Sequence, residues 1–303
     1  MTAFTAANAH LLERTEKAVY FERMRNISRK RDQLFLIVPC DKAYEERMRV
    51  AGLGRMPLKA EGTPIAFDDS ISGNPIRTVH DTYAMGWRCT MEMMQDDLYN
   101  VMNRMTNELA DSTVDKQERI AWGLVDDGYT GVTYTGLDGL ALFSTAHTSL
   151  RSEVPNQTNM NSPGVALGIT GIEALMTMAM TTLNEEGRFI ELEQSLLVIH
   201  PNLAHQAYVL LNTMQQTGSN NNDLSTVQSG RSGLTVVSVP YITSTSQWSL
   251  HAKPGRNDLT INNRMSPDFT QAGDPDTKDL KYYGCFRESA MFSDWRNNWG
   301  GND

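Results

Sequence analysis

The sequence predicts an α+β fold, and three observations support this class. Short apolar strands occur near both ends of the chain, a long amphipathic helix lies in the first half, and helices alternate with strands in the second half. No internal repeat and no linker rich in proline or serine divides the chain. Its 303 residues are enough to bury a substantial core, as one large domain or two small ones.

Residues 1–31 show a weakly helical pattern with few sizeable apolar side chains. These side chains are Leu11, Leu12, Val19 and Tyr20. Because so polar a segment has little to fold around, we expect an extended or partly helical arm that binds a surface elsewhere. Leu34–Val38 then predicts a short buried strand that ends at Pro39.

Residues 54–90 predict a long two-stranded hairpin. Glycines and prolines interrupt its first half, and the polar run before residue 75 predicts a turn with its tip near Ser70–Asn74. On the return leg, Tyr83, Met85 and Trp87 alternate with smaller or polar residues, which is the period of a strand. Because an isolated two-stranded hairpin is marginal in water, we expect contacts outside the hairpin to hold it.

The next segment predicts the strongest helix of the chain, because its apolar residues recur every three or four positions. They are Met91, Met94, Leu98, Met102, Met105 and Leu109. We expect the helix to continue through Leu124, with a break near residues 111–113. A helix of about 30 residues is roughly 45 Å long, which suits a structural spine.

Helices and strands then alternate. Thr170 with Glu173 predicts a capping box that opens a helix through Leu183. Ser195–His200 predicts a buried strand, and Pro201 the first turn of a helix that runs to Met214. Further strands are predicted from Leu234, from Trp248 and over 280–292, and loops over 131–168, 215–232 and 257–278.

Composition excludes several classes of protein. No apolar stretch approaches the roughly 20 residues of a membrane-spanning helix, and the N-terminus lacks the features of a signal peptide. Cys40, Cys89 and Cys285 are widely spaced and predict neither a disulfide framework nor a zinc knuckle, so we expect reduced, mostly buried thiols.

Charge is distributed unevenly along the chain. Residues 1–60 contain 12 lysines and arginines against 7 acidic residues, whereas the whole chain has a net charge of −9. A basic segment on an acidic body binds either nucleic acid or the acidic body of a neighbouring copy. We favour the neighbouring copy, because an acidic protein repels a polyanion.

The sequence contains no Walker-type glycine loop, dinucleotide fingerprint, nucleophile elbow or paired-histidine helix. The residue groups that we weighed as sites are Ser144 with His147, Asp126 with Asp127, Asp68 with Asp69, His200, and Trp295 with Trp299. We interpret them as a turn hydrogen bond, solvated acid pairs, a strand-end histidine and tryptophans at a subunit junction. We therefore expect no catalytic residue, no cofactor and no metal, although a hydrolase using His147 or an acid pair remains an alternative.

The order of segments resembles the Hong Kong 97-type major capsid fold over nearly the whole chain. GLDGLALFSTAHT at Gly136–Thr148 is similar to a stretch of the Mu-like major head subunits. GIEALMTMAM followed by SLLVIHPNLAHQAYVLLN, and GLTVVSVPYITSTSQWSLHA, resemble a helix, strand and turn of the same family. Ala141 and His200 depart from that pattern. No single motif is specific, but their order and spacing are.

The resemblance implies a division into five regions. They are an N-terminal arm with the first strand (1–50), an extended E-loop hairpin (51–90), a P-domain with the spine helix (91–160), an A-domain (161–254) and C-terminal return strands (255–303). Some members of the family crosslink their subunits through a lysine of the E-loop. We expect no crosslink here, because Lys59 lies near the base of the predicted hairpin rather than at its tip.

The resemblance also implies a function and partners. We expect a major capsid protein of a tailed bacteriophage that assembles into pentamers and hexamers around double-stranded DNA, without sequence-specific binding and without a membrane. A separate scaffolding protein, a portal, a decoration protein and a maturation protease are further expected partners, in the virion and, during assembly, in the host cytoplasm. The alternative of the same fold is an encapsulin-like compartment. We expect deletion of residues 1–30 to leave the body folded but to abolish closed shells.

Overall fold

The computed structural model describes residues 2–90, 92, 93, 96, 100–161, 164–190, 192–215, 224–274 and 279–301, and of residues 2–13, 229 and 231 it describes only the backbone. The helices are α1 (Thr2–Asn26), α2 (Val101–Asp126), α3 (Ile169–Thr181), α4 (Ala204–Asn212) and α5 (Ser229–Ser232). The strands are β1 (Leu36–Pro39), β2 (Tyr44–Ala51), β3 (Ile71–Val79), β4 (Asp81–Cys89), β5 (Leu196–Ile199), β6 (Thr235–Ser238), β7 (Trp248–His251), β8 (Leu259–Gly273), β9 (Leu280–Phe292) and β10 (Asn298–Gly301). This mixture of helices and strands confirms the α+β class.

The described strands form three sheets. The first has the order β1-β8-β9-β4, with β1 parallel to β8 and the other pairs antiparallel. The second has the order β10-β7-β5-β6, in which β5 and β6 are parallel. The third is the two-stranded pair β2-β3. The chain thus separates two core sheets from a peripheral hairpin.

Three apolar clusters form the core. One lies between the end of α2 and both four-stranded sheets and contains Trp122 and Phe143. The second lies where α3 and α4 pack on the second sheet, around Trp248 and Trp299. The third joins α1, the start of α2 and the first sheet through Tyr20 and other buried residues. The two sheets therefore share one continuous interior with the long helix.

Helix α2 is the predicted spine, but its limits differ from the prediction. It runs without interruption across residues 111–113, where a break was predicted. It begins at Val101, because Asn100 adopts a left-handed conformation with φ of 57°. Its 26 residues span about 39 Å. Met102 and Leu109 are buried as predicted, whereas Met91, Met94 and Leu98 lie outside the described residues.

The predicted hairpin exists, but its pairing was predicted wrongly. Strand β2 pairs with β3, from Tyr44 opposite Val79 to Ala51 opposite Ile71, and residues 52–70 form the closing loop. The predicted return leg is the separate strand β4, which pairs with β9 in the first sheet. Alternation reveals that residues 83–89 are a strand, but it does not identify the partner. Stacking of Trp87 on Tyr282, with ring centroids 4.7 Å apart, favours the observed pair.

Other predictions were confirmed or corrected in detail. Strands β5, β6, β7 and β9 lie where they were predicted, and Pro201 opens a short 3-10 turn that leads into α4. Helix α3 begins at Ile169 without a side-chain cap, so the predicted capping box is wrong. Strand β8 occupies a segment predicted as a loop, because its asparagines and Pro267 hide the pattern. Strand β1 is exposed at Leu36 and Ile37 rather than buried.

Candidate functional site

The loop that closes the hairpin carries exposed apolar side chains. Met56, Leu58 and Phe67 are each at least 95% exposed. Met48 and Val50 continue this surface along β2. Large apolar groups clustered on one projecting element are unusual for a monomer and mark a site of interaction. We call the hairpin with its loop, residues 44–79, the assembly hairpin.

Polar contacts hold the assembly hairpin against the rest of the subunit. The guanidinium of Arg49 donates to the carbonyl of Thr148 at 2.6 Å and pairs with Glu185. The backbone N–H of Gly52 donates to Glu186 Oε1 at 2.7 Å. Burial alone would raise the pKa of the Glu185 carboxyl. The hydrogen bonds from Leu150 and Arg49 outweigh this effect, so the pKa lies below its usual value and the carboxyl is ionised. The expectation that contacts outside the hairpin hold it is confirmed, and they come from the same chain.

Arg151 holds both ends of the closing loop. Its guanidinium donates to the carbonyl of Gly52 at 2.6 Å and to the carbonyl of Asp69 at 3.0 Å. It also pairs with the carboxylate of Asp68 at 2.8 Å. Asp68 in turn accepts the backbone N–H of Gly54 at 2.7 Å, and these contacts lower the pKa of that carboxyl. Asp68 thus acts as a structural acceptor. No spacing in the sequence predicts this role for Arg151.

The arm packs on its own subunit. Tyr20 is buried, and its hydroxyl donates to Thr113 Oγ1 at 2.9 Å. The centroids of the Tyr20 and Phe269 rings are 5.1 Å apart. Nearby, Arg23 forms two hydrogen bonds with Asp111, the shorter of 2.6 Å. The arm was predicted to bind a surface elsewhere, and its second half packs on helix α2 and the first sheet of its own subunit. The segment has few apolar side chains at helical spacing, so its sequence did not predict this contact.

The basic N-terminal segment pairs with acidic groups of the same chain. Buried Arg31 contacts Glu288 at 3.1 Å, and Lys17 lies 3.4 Å from Asp268. Arg47 pairs with Asp258 at 3.2 Å. The predicted partner of the basic segment was the acidic body of a neighbouring copy, and that contact stays a prediction; the pairs observed here lie within one subunit.

His147 has an acid partner but no nucleophile. Its Nδ1 lies 2.6 Å from Asp138 Oδ2, and its Nε2 lies 3.1 Å from Asn159 Oδ1. Ser144 instead accepts the backbone N–H of Ala146 through its hydroxyl, at 3.3 Å. Burial raises the pKa of Asp138, but the hydrogen bond and charge of His147 outweigh it and lower that pKa. Because both ring nitrogens are occupied by acceptors, this arrangement does not form a Ser-His-Asp triad.

The carboxylates of Asp126 and Asp127, at the end of α2, accept hydrogen bonds from the backbone of neighbouring loops. Asp127 accepts the backbone N–H groups of Thr133 and Tyr134, each at 2.7 Å. Burial raises its pKa, but these bonds and that of Thr130 outweigh it, so the pKa lies below its usual value. Asp126 accepts the backbone N–H of Thr243 at 2.7 Å. Both carboxylates are therefore engaged in structural contacts, which the interpretation as solvated acids did not anticipate.

Comparison with known proteins identifies the family. A family model described as phage capsid protein matches residues 75–296. The chain belongs to the phage capsid protein family. It is a major capsid protein, a structural component of the virion that assembles with copies of itself into a shell. No curated protein matches it in sequence.

Solved shells share the fold of this capsid protein. The procapsid of bacteriophage JBD30 has 13% identity and a TM-score of 0.52, over 98% of this chain and 75% of that chain. The capsid of the native GTA particle has 11% identity and a TM-score of 0.59, over 90% of each chain. A virus-like particle from Pyrococcus furiosus has 8% identity and a TM-score of 0.53, over 95% of this chain and 98% of that chain. The resemblance to the Hong Kong 97-type fold is thereby confirmed.

The structure also places the remaining candidate residues of the capsid protein. Trp295 and Trp299 are buried in the chain's own core, so they form neither a nucleic-acid platform nor a subunit junction. His200 ends β5 as predicted, and its Nδ1 accepts the backbone N–H of Asn202 at 3.2 Å. Lys59 lies in the closing loop, not at the hairpin base, so the positional reason for expecting no crosslink is wrong.

Two further expectations concern the described part of the capsid protein. None of its helices there is both long and apolar enough to cross a membrane. Cys40 and Cys89 are buried and Cys285 is half-buried, and no disulfide joins them in the described chain, which agrees with the predicted mostly buried thiols.

Proposed function

We propose that this capsid protein forms pentamers and hexamers that close an icosahedral shell around phage double-stranded DNA. The observation that supports this most directly is the assembly hairpin. Its apolar side chains, above all Met56, Leu58 and Phe67, project from the subunit without cover. Burying such groups against a neighbouring copy contributes roughly 25 cal/mol for each Å² of apolar surface. Repetition of such a contact around a closed shell multiplies a modest energy per subunit.

The neighbouring copy is the occupant that we assign to the hairpin surface. The hairpin backbone is held by Arg49 and Arg151 of its own subunit, so its orientation is set before assembly. A preorganised element loses less conformational entropy on binding than a flexible one. The same surface on each copy then grips the next subunit in a repeated, head-to-tail contact.

The division into regions is part of this proposal. A P-domain with the spine covers 91–160, an A-domain 161–254, and return strands 255–303, as expected. For the E-loop we propose 44–79 rather than 51–90, since β4 belongs to the first sheet, so the arm with the first strand covers 1–43 rather than 1–50 and residues 80–90 join the P-domain. The second sheet with α3 and α4 corresponds to the A-domain, and the first sheet with α2 to the P-domain.

We propose no enzymatic activity and no sequence-specific contact with DNA. The arrangement of His147, Asp138 and Asn159 supports a structural role for the best catalytic candidate. The acidic net charge of −9 supports an inner surface that does not retain packaged DNA. A scaffolding protein, a portal and a decoration protein are the partners that we propose for assembly, which would take place in the host cytoplasm.

Negative-stain electron microscopy of the purified protein, with size-exclusion chromatography, tests this function. We expect shells, tubes or rings of five and six subunits. Particles that package protein cargo instead of DNA would indicate a compartment of the same fold. A chain that stays monomeric when its scaffolding protein is added would overturn the proposal.

A further inference from the structure

Three side chains with metal-ligating atoms meet at the base of the assembly hairpin. They are Cys40, Glu45 and His80, and the Sγ, a carboxylate oxygen and a ring nitrogen all lie within 4.8 Å of one another. Cys40 directly follows β1, Glu45 lies in β2, and His80 is the single residue between β3 and β4. Residues from three segments, up to 40 positions apart in the sequence, therefore converge where the hairpin leaves the first sheet.

His80 has a buried ring nitrogen without a partner. The residue is 3% exposed, and its Nδ1 lies 2.9 Å from the hydroxyl of Ser289. Its Nε2 is buried and forms no hydrogen bond with any residue that the structure describes. Buried polar atoms are nearly always paired, so this nitrogen needs an explanation. A histidine that binds a metal through one nitrogen typically donates the other N–H to a hydrogen-bond acceptor, as His80 is placed to do toward Ser289.

The donor set of the cluster favours a cation. The Cys40 thiol donates a long hydrogen bond, 3.6 Å, to the carbonyl of Val38 and also interacts with the carboxylate of Glu45. Glu45 beside it is half-buried, which leaves a path from solvent to the cluster. A bound cation neutralises both the thiolate and the carboxylate.

We propose that Cys40, Glu45 and His80 bind a zinc ion. A thiolate, an imidazole nitrogen and a carboxylate oxygen are the three ligand types that zinc uses in proteins. Calcium and magnesium take oxygen ligands, and one carboxylate does not satisfy them. Three protein ligands leave the fourth tetrahedral position to a water molecule.

Two arginines near the cluster, Arg47 and Arg287, are held by other groups. Arg47 is held by Asp258 at 3.2 Å and by the hydroxyl of Ser293 at 2.7 Å. Arg287 donates to the backbone carbonyl of His80 at 3.3 Å, away from the ring. The two anionic ligands match the charge of the zinc ion, so the loaded site adds no net charge beside these cations.

A zinc ion here connects the hairpin to the first sheet. Glu45 belongs to the hairpin strand β2, whereas Cys40 and His80 border β1 and β4 of the sheet. Binding therefore restricts the angle at which the assembly hairpin leaves the subunit. This consequence rests on the proposed role of the hairpin, whereas zinc binding itself does not.

Isothermal titration of the purified full-length protein with zinc sulfate tests the site. We expect one equivalent to bind the wild type, and cobalt(II) in its place to give thiolate-to-metal charge-transfer absorption. Ser289→Ala should weaken binding by about 10- to 100-fold, as loss of such a supporting contact does in other sites. Cys40→Ser and His80→Gln, which remove ligands, should weaken it by more. Cys285→Ser and His205→Gln are matched controls and should bind like the wild type.

The outcomes separate clearly. A wild type that binds no zinc, or a Cys40→Ser variant that binds as tightly as the wild type, overturns the proposal. Circular dichroism checks that each variant is folded, and Cys40→Ser, which preserves size, carries the test if His80→Gln fails to fold. Electron microscopy of zinc-free protein is scored separately, so loss of the metal site and failure to form shells are distinguishable.

Discussion

The imidazole of His147 lies flat on the indole of Trp295, with ring centroids 4.4 Å apart and planes 9° from parallel. The amide nitrogen of Asn159 donates to the carbonyls of Leu142 and Asn298, so its oxygen faces the ring of His147. The histidine thereby connects the loop after α2 to the last strand of the second sheet. A residue that the sequence suggests as a catalyst is instead a junction between two parts of the core.

Replacing this histidine should destabilise the subunit. His147→Ala removes the stacked ring and leaves the buried carboxylate of Asp138 without its partner. Losing one member of a buried charged pair typically costs about 3–5 kcal/mol. Urea unfolding measures the difference, with His205→Ala on the exposed face of α4 as the control, expected within roughly 0.5 kcal/mol of the wild type. Equal stability of the two variants would contradict this role. Because we propose no enzymatic activity for the wild type, His147→Ala should remove none.

The buried pair of Arg31 and Glu288 allows a double-variant test. Both side chains are at most 4% exposed, and burial raises the pKa of Glu288 despite the nearby guanidinium. Arg31→Met alone should lower the free energy of unfolding by about 3–5 kcal/mol, because Glu288 then stays buried without a cationic partner and keeps only the neutral amide of Gln117. The double variant Arg31→Met with Glu288→Leu should recover most of this loss. If the double variant is no more stable than the single one, the pair is not the cause.

Truncations of the arm should separate folding from assembly. Deletion of residues 1–30 removes Tyr20, which is buried, so we now expect this deletion to destabilise the body as well as to abolish closed shells. Loss of a buried aromatic side chain alone costs about 3–5 kcal/mol. Deletion of residues 1–13 should keep the thermal midpoint of the wild type. Calorimetry measures both proteins, and equal midpoints for the two deletions would refute the packing of the arm.

His251 should make the subunit sensitive to acid. Burial lowers its pKa from 6.5 to about 4, and its ring accepts from Ser249 and donates to Asn298. Between these pH values the unfolded chain binds a proton that the folded chain does not. Stability should therefore fall as the pH decreases from 6.5 to 4, by about 3 kcal/mol in total. His251→Asn should flatten this part of the profile in urea titrations, and an unchanged slope would rule out His251.

The exposed loop residues should matter for assembly and not for folding. Leu58→Ser with Phe67→Ser changes two side chains that are almost fully exposed, so the subunit should keep its stability within roughly 0.5 kcal/mol. The same variant should lose shells in electron micrographs, because the apolar contact with the next copy is removed. Glu61→Ser in the same loop is the matched control. Normal shells from the double variant would mean that this surface is not an interface.

The sequence predicted most elements whose apolar residues follow one clear period. Strand β5 is fully buried, so its continuous apolar run was unambiguous. Strand β8 was missed because one face of it is polar and Pro267 interrupts it at a register shift. The return leg of the hairpin was misassigned because periodicity defines a strand but not its partner.

Contacts between residues far apart in the sequence could not be predicted from local sequence patterns. Arg151 and Glu185 hold the hairpin through pairs separated by more than 80 positions, and no local motif marks them. Its spacing does not predict a zinc knuckle for Cys40, yet the fold brings it to His80. Spacing rules detect ligands supplied by one or two neighbouring turns, whereas this cluster is assembled by the pairing of strands.

Arg151 binds the backbone on both sides of the closing loop, at Gly52 and at Asp69. A protease that cuts the chain between these two points would therefore produce two fragments that stay together. In a denaturing gel such a subunit would run as two bands, while its sedimentation and its particles would be those of the uncut protein. The loop can thus be cut, or extended by an inserted peptide, because the contacts of Arg151 rather than the intact chain keep the hairpin in position.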